Sequence, residues 1–441
     1  MVALVLGVLQ AVSPTPSSAQ SSATSLYISD VSIVDPDRAK IRPRMNVLVT
    51  GDRIVSVSSG EARPPTEARL IDGTGLFLLP GLIDLHVHQG SNPLDPGRGR
   101  LEAALARAGV TSVRLACFEC GRLDLLSSAP QKAAGGERTF GSLGVRVVAR
   151  GTTPFSHFRA AGVYRHDPEP FYRNWSAGRY TFLKMFDSTP EDILAEALGR
   201  GVRVEGHVPD GVAVREALEL GQITFDHIYD ILDECLVGGR SAREGALATR
   251  APTTLAIDTV ACSRLARSIK TRGAAVIPTL VLLKYRASSG VLDLIDARMV
   301  DLPNTERRFW ISEAAATRTE AKIRGERAVL RAALAVVRIL RNNDVRVLAG
   351  SDTPFPFSVP GSSLHEELEL LHQAGLTPAE CLQAGTTAAA RHYGVDDVIG
   401  KIEPGYFADF VLLRSNPLSD IENLRDIIGV AQSGRYQTIR N

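Results

Sequence analysis

Two imidazoles one residue apart, His86 and His88 in GLIDLHVHQG, close a run that is otherwise apolar. Side chains of a strand alternate between faces, so both rings project to one side and Val87 to the other. Such a pair can grip one cation or simply satisfy neighbouring backbone groups, and the fragment alone leaves both readings open. Polar residues interrupt comparable runs further along: Lys184 in YTFLKMF, His207 in VRVEGHV, His227 in QITFDHI and Asp352 in VRVLAGSD. Four imidazoles and a carboxylate form a donor set that suits Zn²⁺ and tolerates Mn²⁺, Fe²⁺ or Co²⁺. The lysine needs a reason of its own, because an uncompensated buried ammonium costs several kcal/mol.

These residues meet only if the runs that carry them are neighbours. From Gly81 onward eight strand-like runs, GLIDLHVH, VTSVRLA, VRVVARG, YTFLKMF, VRVEGHV, QITFDHI, AVIPTLV and VRVLAGSD, alternate with helix-like stretches such as EDILAEALGR and GVAVREALEL. That rhythm predicts an α/β fold, and eight units predict a (β/α)₈ TIM barrel over residues 81–395. Active sites of such barrels lie at the C-terminal ends of the strands, which gives His86, His88, Lys184, His207, His227 and Asp352 one common mouth. Tyr229, two residues past His227, falls on the same face, where it can hydrogen-bond a substrate carbonyl or pack at the rim. His157 follows the third strand, Arg159 and Arg165 are placed to meet a substrate carboxylate, and His365 is expected to face a barrel helix. RAVLRAALAVVRILRNN has the spacing of an amphipathic barrel helix. Alternating segments between Leu26 and Leu79, and again in IEPGYFADFVLLRSN and IIGVAQSGRYQTI, predict a small β-sandwich built from both chain ends, residues 26–80 and 396–441.

Composition narrows the partners. The 441 residues include 50 Lys plus Arg against 49 Asp plus Glu, a net charge of +1 that argues against nucleic acid or an anionic membrane surface. A small-molecule or dipeptide substrate is the more natural partner, and a homo-oligomer is left open. No run of about eighteen apolar residues offers a membrane span. The opening MVALVLGVLQAV, followed by SPTPSSAQSSATS with its Ser17-Ser18-Ala19, resembles a secretory signal peptide without the basic n-region, so residues 1–25 are expected to be a leader and the protein to be secreted or periplasmic. A cytoplasmic location follows if that segment is not a signal. Cys117, Cys120, Cys235, Cys262 and Cys381 make an odd count, and the single CFEC lacks the second pair of a structural zinc site; a disulfide or two buried thiols is the expectation there.

PGLIDLHVH, the lysine-bearing strand, GHVP, DHI, AGSDTP and the tail LHEELELLHQAGLTPAECLQAGTTAAARHYGVDDVIGKIEPGYFADFVLL together resemble the amidohydrolase superfamily over nearly the whole chain after about Leu26. The tail is similar to the imidazolonepropionase-like and Xaa-Pro dipeptidase (prolidase-like) branch. The resemblance implies a binuclear centre, with His86, His88 and Asp352 on the more buried metal, His207 and His227 on the more exposed one, and Lys184, carboxylated by CO₂, between them. It further implies a metal-held hydroxide as nucleophile and Asp352 as the group that takes its proton to the leaving nitrogen. One departure stands out: relatives more often carry an Arg-Asp pair in the second strand, whereas here Leu115 follows Arg114. The implied activity is hydrolysis of an amide bond, in an Xaa-Pro dipeptide or N-acyl amino acid; a cyclic amidohydrolase of imidazolonepropionase type and an inactive metal-retaining binding protein are the alternatives.

Overall fold

Apolar runs that form the strands of a helix-covered parallel sheet are buried on both faces, even where a polar residue interrupts them. The first two such runs behave this way: Leu82–Val87 and Val110–Ala116 are buried at every position. The structure, a computed structural model of the chain, describes residues 25–60, 63–88, 98–116, 139–140, 145–152, 169–178, 181–248, 254–289, 307–308, 310–312 and 319–439. In it Leu82–Val87, Val110–Ala116, Val145–Thr152, Phe182–Met185, Val204–Gly206, Thr224–Asp226, Ala275–Ile277 and Arg346–Val347 lie side by side in chain order, each parallel to the next. Thr139–Phe140 pairs antiparallel with the third of them.

Several strands are shorter than the apolar runs that announced them. VRVEGHV and QITFDHI contribute only Val204–Gly206 and Thr224–Asp226, which leaves His207 and His227 one residue past their strand ends. AVIPTLV divides into the strand Ala275–Ile277 and the start of the helix Leu280–Ala287. Pro278 lacks the N–H a ladder needs, and Thr279 has a left-handed φ of 47°, so the chain turns there. Beyond Arg346–Val347 the segment 348–353 bonds to both flanking strands. Leu348 N–H donates to Val276 O (2.9 Å), Leu85 N–H donates to Ala349 O (3.1 Å) and His88 N–H donates to Thr353 O (2.6 Å).

Strands from both chain ends join in a second, eight-stranded sheet: Ser25–Asp35, Lys40–Thr50, Arg53–Ser59, Arg69–Asp72 and Phe77–Pro80 with Phe410–Leu413, Ile427–Gln432 and Arg435–Thr438. The seam is the antiparallel pair Phe77–Pro80 and Phe410–Leu413. Alternation couples the two units: Leu78 and Leu412 pack with Ile28, Val47 and Phe410 in the sheet's own core, while Leu79, Val411 and Leu413 point into the core of the parallel sheet. The 327–343 pattern lies in the helix Glu320–Asn342, whose Val329, Ala333, Val336, Val337 and Leu340 are buried.

Cys235 and Cys262 form a disulfide, a pairing that spacing did not suggest, and Cys381 is free and buried. Cys117, Cys120 and residues 1–24 of the expected leader 1–25 lie outside the described residues, and Ser25 opens the first strand of the second sheet. No helix among the described residues is long and apolar enough to cross a membrane. The disulfide ties the end of the helix Tyr229–Cys235 to the helix Thr259–Thr271 across a separation of 27 residues. Loops of that size lose conformational entropy in the unfolded chain, so replacing both cysteines by alanine is expected to lower unfolding stability by about 2–4 kcal/mol, read by denaturant melts.

Candidate metal centre

His86 is fully buried at the end of the first strand. Its Nε2 lies 3.2 Å from His88 Nε2, 2.7 Å from Lys184 Nζ and 3.2 Å from Asp352 Oδ1. His88 Nε2 is itself 2.6 Å from Asp352 Oδ1. A ring nitrogen offers one in-plane proton or one lone pair, so hydrogen bonding cannot satisfy three neighbours of His86 Nε2 at once. One cation would engage His86, His88 and Asp352 together, with the Lys184 contact outside that set. Zinc with donors about 2.0–2.2 Å away spaces them about 3.3 Å apart, close to two of the three separations among His86, His88 and Asp352. Donor atoms of those three residues all fall within 4.8 Å of one another.

The other predicted ligands adjoin this cluster. The His227 ring centroid lies 4.8 Å from that of His86 and 4.6 Å from that of His207, which also stacks on Phe186 at 5.3 Å. Thr279 Oγ1, 2.7 Å from His227 Nδ1, fixes that ring. The structure therefore brings His86, His88, Lys184, His207, His227 and Asp352 into one group. Burial holds the His88 and His207 imidazoles down at about 4, and His227 well below its usual value. Their lone pairs are then free for a cation at neutral pH. Burial also lowers Lys184, against the opposing pull of Asp226 and Asp352. Asp352 would be raised by burial, but His86, His88 and His227 around it hold it well below the usual carboxylate range.

Close approach and unusual backbone set this geometry. A Cβ at Gly350 would come within 2.8 Å of His86 Cβ, and one at Gly206 within 2.5 Å of Met185 O and 3.1 Å of Lys184 Cγ. His227 (φ 61°), Thr279 (φ 47°) and Asp352 (φ 57°) occupy the left-handed region without being glycine, at an expense of order 1–3 kcal/mol each that the surrounding contacts must offset.

Four acidic and hydroxyl partners were missed by sequence reasoning. Asp84 accepts from His86 N (3.1 Å), Ser351 N (2.9 Å) and Ser351 Oγ (2.5 Å), fastening the first strand to the segment that bears Asp352. Arg114, wholly buried, donates to Glu205 Oε2 (2.7 Å), Asp226 Oδ2 (3.0 Å) and Leu85 O (2.8 Å). Asp226 Oδ2 is also 3.5 Å from His86 Nδ1 and 3.4 Å from Lys184 Nζ. Arg114 is thus paired by carboxylates from the fifth and sixth strands. Their signal was present as Asp or Glu inside otherwise apolar strands, where an acid needs a partner.

Tyr229 starts the helix Tyr229–Cys235, and its hydroxyl accepts from Arg286 Nη1 at 2.5 Å. His365 is buried on the helix Ser362–Gln373, with Nε2 2.8 Å from Ala108 O, at the end of the helix Arg98–Arg107. His157, Arg159 and Arg165 lie outside the described residues.

Residues 246–438 match the model of the amidohydrolase family. A dihydroorotase of Geotalea daltonii is 30% identical over 94 residues, which are 21% of this chain and 22% of that protein. The chain thus aligns with only about a fifth of that relative's length. A solved Xaa-Pro dipeptidase with bound methionine in its active site superposes with a TM-score of 0.64 at 16% identity, covering 94% of this chain and 100% of the other. A bottromycin amidohydrolase does so with a TM-score of 0.64 at 22% identity, covering 94% and 87%. At such identities the likeness establishes the shared fold.

Two outcomes follow from the site's electrostatics. Arg114→Met removes the guanidinium that Asp226 and Glu205 share, leaving Glu205 to Arg203 and Asp226 to Lys184 and His86 in a dry interior, and is expected to cost about 3–5 kcal/mol in denaturant melts. His207 has a folded value of about 4 against an ordinary 6.5, so between those pH values the unfolded chain binds more protons and stability of the metal-free protein rises with pH. Replacing His207 by Asn should flatten that rise by up to about 1.4 kcal/mol per pH unit, measured by melts from pH 4 to 7.

Proposed function

We propose that the protein is a metal-dependent hydrolase of carbon–nitrogen bonds that cleaves an amide in a dipeptide of Xaa-Pro type or an N-acyl amino acid. The observation that carries this is the packing of His86, His88 and Asp352 around one point, with Lys184 against His86 and the His207–His227 pair alongside. In this reading His86, His88 and Asp352 hold one ion, His207 and His227 a second, and Lys184, carboxylated by CO₂, lies between; Zn²⁺ suits the donors best. A bound divalent cation supplies Lewis acidity and brings the pKa of its water from 15.7 towards about 7. Asp352 takes up the nucleophile's proton at a carboxylate oxygen and delivers it to the leaving nitrogen. Tyr229 hydrogen-bonds the substrate's carbonyl oxygen. Burial lowers the Lys184 amine, which favours the neutral form that adds CO₂.

The same reading takes residues 81–395 as a closed (β/α)₈ barrel, supported by the bonds from Leu348, Ala349 and Thr353 to the two flanking strands. Residues 26–80 and 396–441 are taken as a β-sandwich, supported by the apolar core that Ile28, Val47, Leu78 and Phe410 share. The Cys235–Cys262 disulfide supports a secreted or periplasmic location, since such bonds persist in oxidising compartments. A second reading, hydrolysis of a cyclic amide, is favoured by the local likeness to a dihydroorotase.

The test is turnover by Zn²⁺-loaded protein on a panel of Xaa-Pro dipeptides, N-acyl amino acids and cyclic amides. Cleavage of a linear substrate is expected, lost on chelation and restored by Zn²⁺, with Asp352→Asn slower by about 10²–10⁴-fold. No turnover on any panel member, or a variant as fast as the parent, defeats the reading; turnover of cyclic amides alone selects the second.

A further inference from the structure

We infer that a cleft between two helices, lined by Arg215, Arg264, Arg267 and Arg272, binds a compact ligand carrying several phosphate or sulfate groups. The helix Val214–Leu220 forms one wall and the helix Thr259–Thr271 the other, and the space between them is about 370 Å³, the size of a small-molecule site. Helical period sets the lining. Arg264, Arg267 and Thr271 follow one another at intervals of three and four residues on one face of their helix, and Arg272 comes directly after its end. Arg215 lines the opposite wall with Leu218 and Glu219, three and four residues further on. Leu218 is buried, whereas all four arginines are exposed.

Charge separates these arginines from other exposed cations. Lys270, on the same helix, is paired with Asp344 at 2.5 Å, and Arg200 with Glu196 at 2.7 Å. Among the described residues none of the four cleft arginines forms an ion pair, and Glu219 is the one acid in the lining, so the cleft is strongly positive. The hydroxyls of Ser268 and Thr271 donate to Arg264 O (3.3 Å) and Arg267 O (2.8 Å), which leaves guanidinium N–H groups as the donors for a ligand. Planar forks of that kind grip phosphate and sulfate oxygens through paired hydrogen bonds. Four like charges gathered in a chain of net charge +1 repel one another, and a ligand with several negative charges relieves that repulsion. Shape and lining argue against two other anionic partners. A lipid bilayer presents a plane that does not enter a cleft, and no aromatic side chain among the described lining residues offers a nucleic-acid base a stacking platform.

The experiment is calorimetric titration of sucrose octasulfate, inorganic sulfate, phosphatidylglycerol vesicles and a single-stranded oligonucleotide into the full chain, with and without Zn²⁺. Octasulfate is expected to bind one-to-one, about 10-fold or more tighter than inorganic sulfate, equally in both metal states, and more weakly as salt is raised. Replacing Arg264 and Arg267 together by alanine should weaken it by about 10- to 100-fold, while the pair Arg42→Ala and Arg44→Ala on the second sheet binds as the parent does. Alanine is a strong helix former, so the cleft variant is expected to melt like the parent. Arg267→Lys, which keeps the charge and loses the fork, should fall between parent and double variant whatever the double variant's stability. Four results overturn the assignment: no octasulfate binding, binding that requires Zn²⁺, equal effects of the cleft and second-sheet variants, or vesicles or oligonucleotide bound more tightly than octasulfate.

Discussion

A single buried guanidinium underlies the arrangement of the interior. Arg114 extends from the second strand to the Leu85 carbonyl on the first, to Glu205 on the fifth and to Asp226 on the sixth, with its face 4.4 Å from the Phe182 ring of the fourth. Desolvating an ion in an apolar medium is expensive, and only near-complete pairing makes it tolerable. Four strands are therefore held at fixed separations by the requirement that Arg114 remain paired. Asp226 passes that constraint on: the carboxylate that binds Arg114 also lies beside His86 Nδ1 and Lys184 Nζ. Tyr393, whose hydroxyl donates to Glu205 Oε2 at 2.9 Å, and Arg203 complete the enclosure from the other side.

Around that floor the donor residues are held by contacts that leave them little freedom. Asp84 clasps Ser351 next to Asp352, Thr279 holds His227, and glycine at 206 and 350 allows the backbone to approach Lys184 and His86. Left-handed backbone at His227, Thr279 and Asp352 is strain that a loop would release, and it persists because packing on several sides over-determines it. A metal centre benefits from such rigidity, since donors already in place need no ordering when the ion arrives.

The second sheet contributes through its connection. Phe77–Pro80 runs almost without interruption into Leu82–Val87, and Gly81 N–H donates to Asp409 O at 2.9 Å where the C-terminal strands begin. The strand that bears His86 is thus anchored at its start by residues from the far end of the chain. Arg146 strengthens that junction by donating to Asp409 Oδ2 at 2.5 Å, with its guanidinium 3.2 Å over the Phe407 ring.

Residue type and local order were enough to reveal the eight parallel strands, the return of the C-terminal strands to the N-terminal ones, and the six residues of the candidate centre, because hydrophobic period and an unexplained polar residue in an apolar run are local signals. Where strands stop was less legible: Pro278 and the turn at Thr279 ended one early, and VRVEGHV was cut to three residues by neighbours that sequence does not name. The acids that pair with Arg114, the Cys235–Cys262 bond and the contact between Tyr229 and Arg286 were decided only by the tertiary structure. Each joins residues tens to more than a hundred positions apart, and whether a buried charge, thiol or phenol finds its partner depends on distances that exist only once the chain has closed on itself.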